Sequence, residues 1–221
     1  MGSNLEAVKQ ANTVGMMFVG VLSSLWATLF ISRELPMVQR EVSEGVSTTA
    51  IFATLNIYNT AIDLLIRSVV FTLPVLYITG YNQTFADFLL IAFGTAWSCS
   101  GLGMIMPCVT NPRSAVVLSV AITFLFGAVL NGVKPTVKEL QDASNPLLYW
   151  MILPSYNRWA TEALTIQEEA ANTDYSFAEK LELNSFGYDP SNWLTAVLFL
   201  YLSGILLRLI CFFFFYKKAL E

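Results

Sequence analysis

Hydrophobic and polar positions alternate in long blocks along this chain rather than at helical or strand spacing. Residues 13–31 carry no Asp, Glu, Lys or Arg, and the next gap without charge runs from Val46 to Ile62. Between them lies a dense polar segment, residues 33–45, reading Arg-Glu-Leu-Pro-Met-Val-Gln-Arg-Glu-Val-Ser-Glu-Gly. The first block approaches the roughly 20 apolar residues that cross a bilayer as one helix. Further apolar blocks place spans at about 57–78, 85–107, 114–130 and 193–216. The expected fold class is an all-α integral membrane protein with about five transmembrane helices. The section before Ile57 reads as interfacial, and Pro74 is expected to kink the second span.

Pro36 suits the first turn of a short helix, and Arg40, Glu41 and Glu44 give that helix a polar face. Two readings stand: a solvated connection, or a docking surface for a soluble partner. Asp63 and Arg67 lie inside the second span at i, i+4 spacing with the acid first, which places them on one face. An unpaired Arg at mid-bilayer costs about 2.5–3.5 kcal/mol on insertion scales, so the pair should face protein or water. It either neutralises itself for insertion or takes part in passage or gating. Ser98, Ser100, Gly101 and Gly103 give the third span a small-residue face. Asn82-Gln83-Thr84 matches a glycosylation acceptor close to the bilayer.

Residues 134–189 break the pattern, with nine acidic residues against Lys134, Lys138, Arg158 and Lys180. The apolar stretch from Pro146 to Pro154 is too short to span and reads as a re-entrant or interfacial helix. Arg158 and Glu162 repeat the i, i+4 pairing just beyond it, chiefly as a loop staple. Arg208 lies near the inner end of the last span, where it can snorkel.

Composition agrees with this picture: 55% apolar, 13% charged and a mean hydropathy of +0.58, against roughly 25% charged residues in soluble domains. A net charge of −4 without any Lys/Arg run gives no sign of a nucleic-acid partner. The chain has no His, which removes histidine-dependent catalysis, and its three cysteines show neither metal spacing nor a disulfide framework. Arg33, Arg40, Arg113, Lys217 and Lys218 fall on one side of a five-span arrangement, which makes that side cytosolic and residues 134–189 external.

The order of these features, with Arg33-Glu34-Leu35-Pro36, Arg40-Glu41, residues 157–164 (Asn-Arg-Trp-Ala-Thr-Glu-Ala-Leu) and Gly187-Tyr188-Asp189 before Trp193, resembles the transmembrane domain of G-subfamily ATP-binding-cassette transporters, the white/pleiotropic-drug-resistance group. The resemblance covers residues 10–218 and begins at the family's second membrane helix. A first helix and a nucleotide-binding domain are therefore expected upstream or on another chain. It implies half of an ATP-driven exporter of lipids, sterols or other hydrophobic molecules, paired as a homo- or heterodimer and moving substrate by alternating access in the plasma membrane or an internal membrane.

By the same resemblance, Arg33, Glu34, Arg40 and Glu41 couple to the nucleotide-binding domain, Phe18, Leu22, Val120 and Thr123 line a substrate cavity, and Val129 and Leu130 form an outer gate. ATP and Mg would bind the nucleotide-binding domain, since no Gly-x-x-x-x-Gly-Lys-Ser/Thr occurs in this chain. Unlike many animal members, this chain has no cysteine in the last external segment. Two other classes remain open: a non-transporting membrane subunit or scaffold that binds partner helices, and an intramembrane enzyme, disfavoured because no nucleophile and base set is present.

Overall fold

A computed structural model describes residues 4–142, 147–171 and 183–220. Five of its helices are long and apolar enough to cross a membrane, and no strand occurs among the described residues. The protein is a multi-pass, all-α integral membrane protein.

Helix α1 runs unbroken over Asn4–Ser43 with Pro36 inside it. At 1.5 Å per residue its 40 residues extend about 60 Å, twice the hydrocarbon thickness. The polar segment from Arg33 onward is thus not a separate short helix. Proline removes one backbone hydrogen bond, but an apolar stripe at Ala27, Ile31, Leu35 and Val38 stays buried on both sides of it. That stripe packs with Ile51, Cys211 and Phe215. Burying a Leu or Val side chain contributes about 1.5–3 kcal/mol, enough to carry the helix through the break. Gly45, at φ 99°, then turns the chain.

The next span is also one rod, Thr48–Thr79, made of α2 (Thr48–Tyr58), a π-helical turn (Asn59–Leu64) and α3 (Leu65–Thr79). Its start continues the helix rather than lying apart from it. The Leu65 N–H bonds the Thr60 carbonyl, five residues back. Gly80, in the left-handed conformation at φ 64°, closes α3.

Helix α4 (Phe85–Val109) is the centre of the molecule, buried along most of its length between α1 and the last helix. Thr84 caps it by accepting from the Asp87 N–H at 3.2 Å. The small-residue face expected here is where helices meet: a Cβ on Gly103 would collide with the Ser24 backbone. That closeness brings Thr28 Oγ1 within 2.9 Å of the Gly103 carbonyl and 2.8 Å of Ser119 Oγ, while Ser24 Oγ sits 2.7 Å from Ser119 Oγ. Three spans are joined by this buried hydroxyl cluster.

Helix α5 (Pro112–Phe124) starts with Pro112 at its first turn and ends in a second π turn, Leu125–Val129. There follow α6 (Val137–Asp142), α7 (Leu147–Ile152), α8 (Tyr156–Ala171) and, after a 3-10 turn at Pro190–Asn192, α9 (Trp193–Ala219). The short helix expected between Pro146 and Pro154 is α7, of which Pro146 itself lies outside the described residues. Most of α8 is buried against α1, α4 and α9 although it carries Arg158, Glu162, Glu168 and Glu169.

Candidate functional site

At the basic end, α1 carries its polar tip. The Arg40 side chain is 81% exposed and its Nε lies 3.1 Å from Glu44 Oε1. Glu41 is half-buried. Gln39 Nε2 donates to the Lys218 carbonyl at 3.1 Å, tying the tip to the end of α9. Arg33 and Glu34 lie about two turns earlier and do not share this tip. They line a groove of about 770 Å3 between α1 and the α2–α3 rod.

The same groove holds the intramembrane pair. Arg67 Nη2 is 2.6 Å from Asp63 Oδ1, with side chains 32% and 17% exposed. The Arg67 guanidinium lies 4.1 Å over the Trp26 ring. Asp63 stands in the π turn, where the altered register of α2–α3 sets its direction.

Phe18 and Leu22 stand on the outward face of α1 in line with Val14, exposed by 54%, 58% and 49%. Val120 is half-buried on α5. Thr123 points elsewhere: it is buried, its hydroxyl donates to the Ser119 carbonyl at 2.7 Å, and it lines a second groove of about 820 Å3 with Cys99, Phe126, Tyr156 and Phe199. Within one chain the four residues do not converge on a single cavity. Val129 is exposed and Leu130 half-buried at the end of the second π turn, where the Leu130 N–H bonds the Leu125 carbonyl at 3.0 Å.

A feature absent from the sequence reading joins α8 to that turn. Three consecutive side chains, Ser155, Tyr156 and Asn157, donate to the carbonyls of Phe126 (2.6 Å), Thr123 (3.1 Å) and Gly127 (2.6 Å). Asn157 Nδ2 also reaches the Thr13 carbonyl at 3.0 Å, and Thr13 Oγ1 meets Thr161 Oγ1 at 3.2 Å. The run of polar residues directly after Pro154 was the available signal. Carbonyls at a helix end and in a π turn lack their usual partners, and these side chains supply them.

Arg158 and Glu162 follow within α8. Their closest approach is 3.8 Å, with side chains 5% and 1% exposed. Arg158 stacks on Trp159 at 4.1 Å. Burial pushes the Glu162 carboxyl up to about 7, against the opposing charge of Arg158. Farther along, Glu168 accepts from the backbone N–H groups of Asn82 (2.9 Å) and Gln83 (3.2 Å), and from Asn82 Nδ2 at 3.3 Å, so the amide of the glycosylation acceptor is engaged. Burial and the Glu168 charge push the neighbouring Tyr81 hydroxyl up to about 12.

Arg208 does not snorkel. It is buried, stacks 3.3 Å over Trp97, and donates to the Trp97 carbonyl (2.7 Å), the Gly204 carbonyl (3.1 Å) and Ser100 Oγ (2.7 Å). Gly101 and Gly204 let α4 and α9 approach closely enough for the side chain to reach across.

Among the described residues no group of three or more His, Cys, Asp or Glu side chains is placed to hold a metal. Among the described residues the geometry offers exposed surfaces, two grooves and one continuous helix. Comparison with known proteins gives the same class. The family model described as ABC-2 type transporter matches residues 2–168. A curated relative, the putative white-brown complex homolog protein 30 of Arabidopsis thaliana, is 22% identical over 205 residues, covering 91% of this chain and 18% of the relative. The chain thus spans about a fifth of that relative's length.

Proposed function

The chain belongs to the ABC-2 type transporter family, and on that premise we propose that it is the membrane-spanning part of an ATP-driven exporter of lipids, sterols or similar hydrophobic molecules. Two such halves, alike or different, form the working unit. The nucleotide-binding domain docks on the tip of α1 around Arg40 and Glu41 at the cytosolic side, with Arg33 and Glu34 nearby. ATP and Mg2+ bind on that domain, because this chain carries no phosphate-binding loop motif. Its own residues transmit force and contact substrate.

The observation that carries this reading is the continuity of α1. One helix bears both the exposed apolar face at Phe18 and Leu22 and the exposed polar tip at Arg40. The 22 residues from Phe18 to Arg40 correspond to about 33 Å of helix. A displacement at the tip therefore moves the apolar face as a lever moves its far arm. Phe18, Leu22 and Val120, facing the same residues of the second half, line the path, with Thr123 behind them and Val129 and Leu130 as the apolar outer gate. Alternating access follows when two soluble domains close and push both tips together.

The test is substrate-stimulated ATP hydrolysis by the chain joined to its nucleotide-binding domain in vesicles. Hydrophobic amphiphiles should raise hydrolysis in the native sequence, and Phe18→Arg should abolish that stimulation while leaving the basal rate. Hydrolysis indifferent to every hydrophobic compound in both proteins would make the chain a membrane scaffold.

A further inference from the structure

The groove between α1 and the α2–α3 rod lies off the proposed substrate path and is lined by four charged side chains, Arg33, Glu34, Asp63 and Arg67. Its residues fall into three levels. Arg33 and Glu34 with Thr54 form the mouth at the basic end. Leu29, Ile62 and Ile66 give apolar walls, flanked by Phe30 and Tyr58 stacked at 5.7 Å. Deeper, Asp63 and Arg67 meet under Trp26. Seven residues separate Trp26 from Arg33, so the two charged levels are about 10 Å apart.

Both charged levels have unmet chemistry. Arg67 spends one guanidinium nitrogen on Asp63, leaves its side chain 32% exposed to the groove, and has five N–H donors in all. Hydrocarbon offers those donors nothing, and an unsatisfied polar group at this depth costs several kcal/mol. The Arg33 and Glu34 side chains make no hydrogen bond or ion pair with the described residues. The required occupant has an anionic and a cationic group side by side at the mouth, acceptor oxygens below them, and apolar chains beyond.

We propose that this groove binds one membrane phospholipid with a zwitterionic, amine-bearing head. The phosphate lies against Arg33 and the amine against Glu34. The glycerol backbone passes Leu29, the ester carbonyls accept from the Arg67 guanidinium, and the acyl chains leave the groove beside Ile62 and Ile66, the neighbours of Asp63 and Arg67. Charge complementarity selects this lipid: a purely anionic head leaves Glu34 repelled, and a sterol leaves Arg33 unmet. The site depends on the membrane location of the chain and not on its transport activity.

The experiment uses the full chain, reconstituted in bilayers of equimolar phosphatidylethanolamine and phosphatidylglycerol, extracted gently and weighed intact by mass spectrometry. One phospholipid per chain should be retained, phosphatidylethanolamine over phosphatidylglycerol by about fivefold. Arg33→Ala should reduce retention of both lipids about tenfold, and Glu34→Gln should keep a lipid while erasing the preference. Both positions face the groove mouth, so these variants leave the core intact. A phosphatidylethanolamine with a photoreactive acyl chain should label Ile62 and Ile66 above the freely lipid-facing Tyr77, Ile78 and Phe213. Retention unchanged by Arg33→Ala, or no head-group preference in the native chain, would overturn the proposal. So would labelling spread evenly over all lipid-facing positions, or a groove shielded from label by a helix of another protein.

Discussion

Two of the three i, i+4 ion pairs among the described residues have opposite surroundings. Asp63 precedes Arg67, and the pair closes to 2.6 Å while remaining partly exposed in a groove. Arg158 precedes Glu162, and that pair stays at 3.8 Å although both side chains are almost wholly buried. The acid-first order suits the helix dipole and the side-chain directions, which favours the tighter contact. Burial acts the other way on the second pair. Its charges have lost water and stand 3.8 Å apart, and burial makes the carboxyl hold its proton more tightly. Spacing alone thus identifies a pair, and the surroundings decide whether it is a charged fixture or a group that titrates near neutrality.

The largest expected effect is on the buried pair. Arg158→Ala removes the compensating charge 3.8 Å from Glu162 and the stack on Trp159, and should cost about 3 kcal/mol at pH 8, within the range for breaking a buried pair. Below pH 6, where the carboxyl carries a proton, the cost should shrink. Thermal unfolding in detergent at both pH values measures this, and a loss independent of pH would show that Glu162 is not the group left exposed by the change.

Next comes the native chain itself. The Glu162 carboxyl sits near 7 when folded against 4.5 ordinarily, so the folded state binds its proton more tightly than the unfolded state. Its favourable contribution is fully present below about pH 4.5 and is lost as pH rises through about 7. Hydrogen exchange in α8 should therefore quicken between pH 6 and 8, after correction for the intrinsic rate. Glu162→Gln should flatten that dependence, whereas a slope surviving in the Gln variant would place the titration on another group.

The Asp63–Arg67 pair should respond somewhat less, by about 2.5 kcal/mol, the lower end of what an unpaired arginine costs at mid-bilayer on insertion scales, because the Trp26 ring still faces the guanidinium. Asp63→Asn alone should lower the amount of protein in the membrane more than Asp63→Asn with Arg67→Gln, since only the single change strands a cation. Equal amounts of all variants would mean that both side chains already reach water.

The membrane class and the number of candidate spans were readable because long apolar blocks separated by charge leave little choice of architecture. The basic tip at Arg40 and the small-residue face at Gly103 were readable for the same reason: each depends on local sequence. What escaped was set by tertiary approach. Nothing near Pro36 announces that α1 continues, because the stripe that holds it together is completed by Ile51 and Phe215 from other helices. Arg208 reads as a snorkelling residue until α9 is brought against Trp97 and Ser100 of α4. The grip of Ser155, Tyr156 and Asn157 on α5 needs the π turn at Leu125–Val129, which shifts backbone bonding without any sequence marker. Thr123 and Phe18 share an expected role, but the turn of α5 sends Thr123 into a different groove.

The central claim is that α1 carries force from its polar tip to its apolar face. It is tested most directly by replacing Arg40 and Glu41 together with Ala in the transporter restored to full length, and recording export and ATP hydrolysis side by side in vesicles. Arg40 is exposed and Glu41 half-buried at the end of the helix, away from the buried stripe, so folding and insertion should be little changed. Export per ATP hydrolysed should fall severalfold, because the docking surface loses charge-assisted contacts. Undiminished export per ATP would contradict the account and leave the tip of α1 a solvated end.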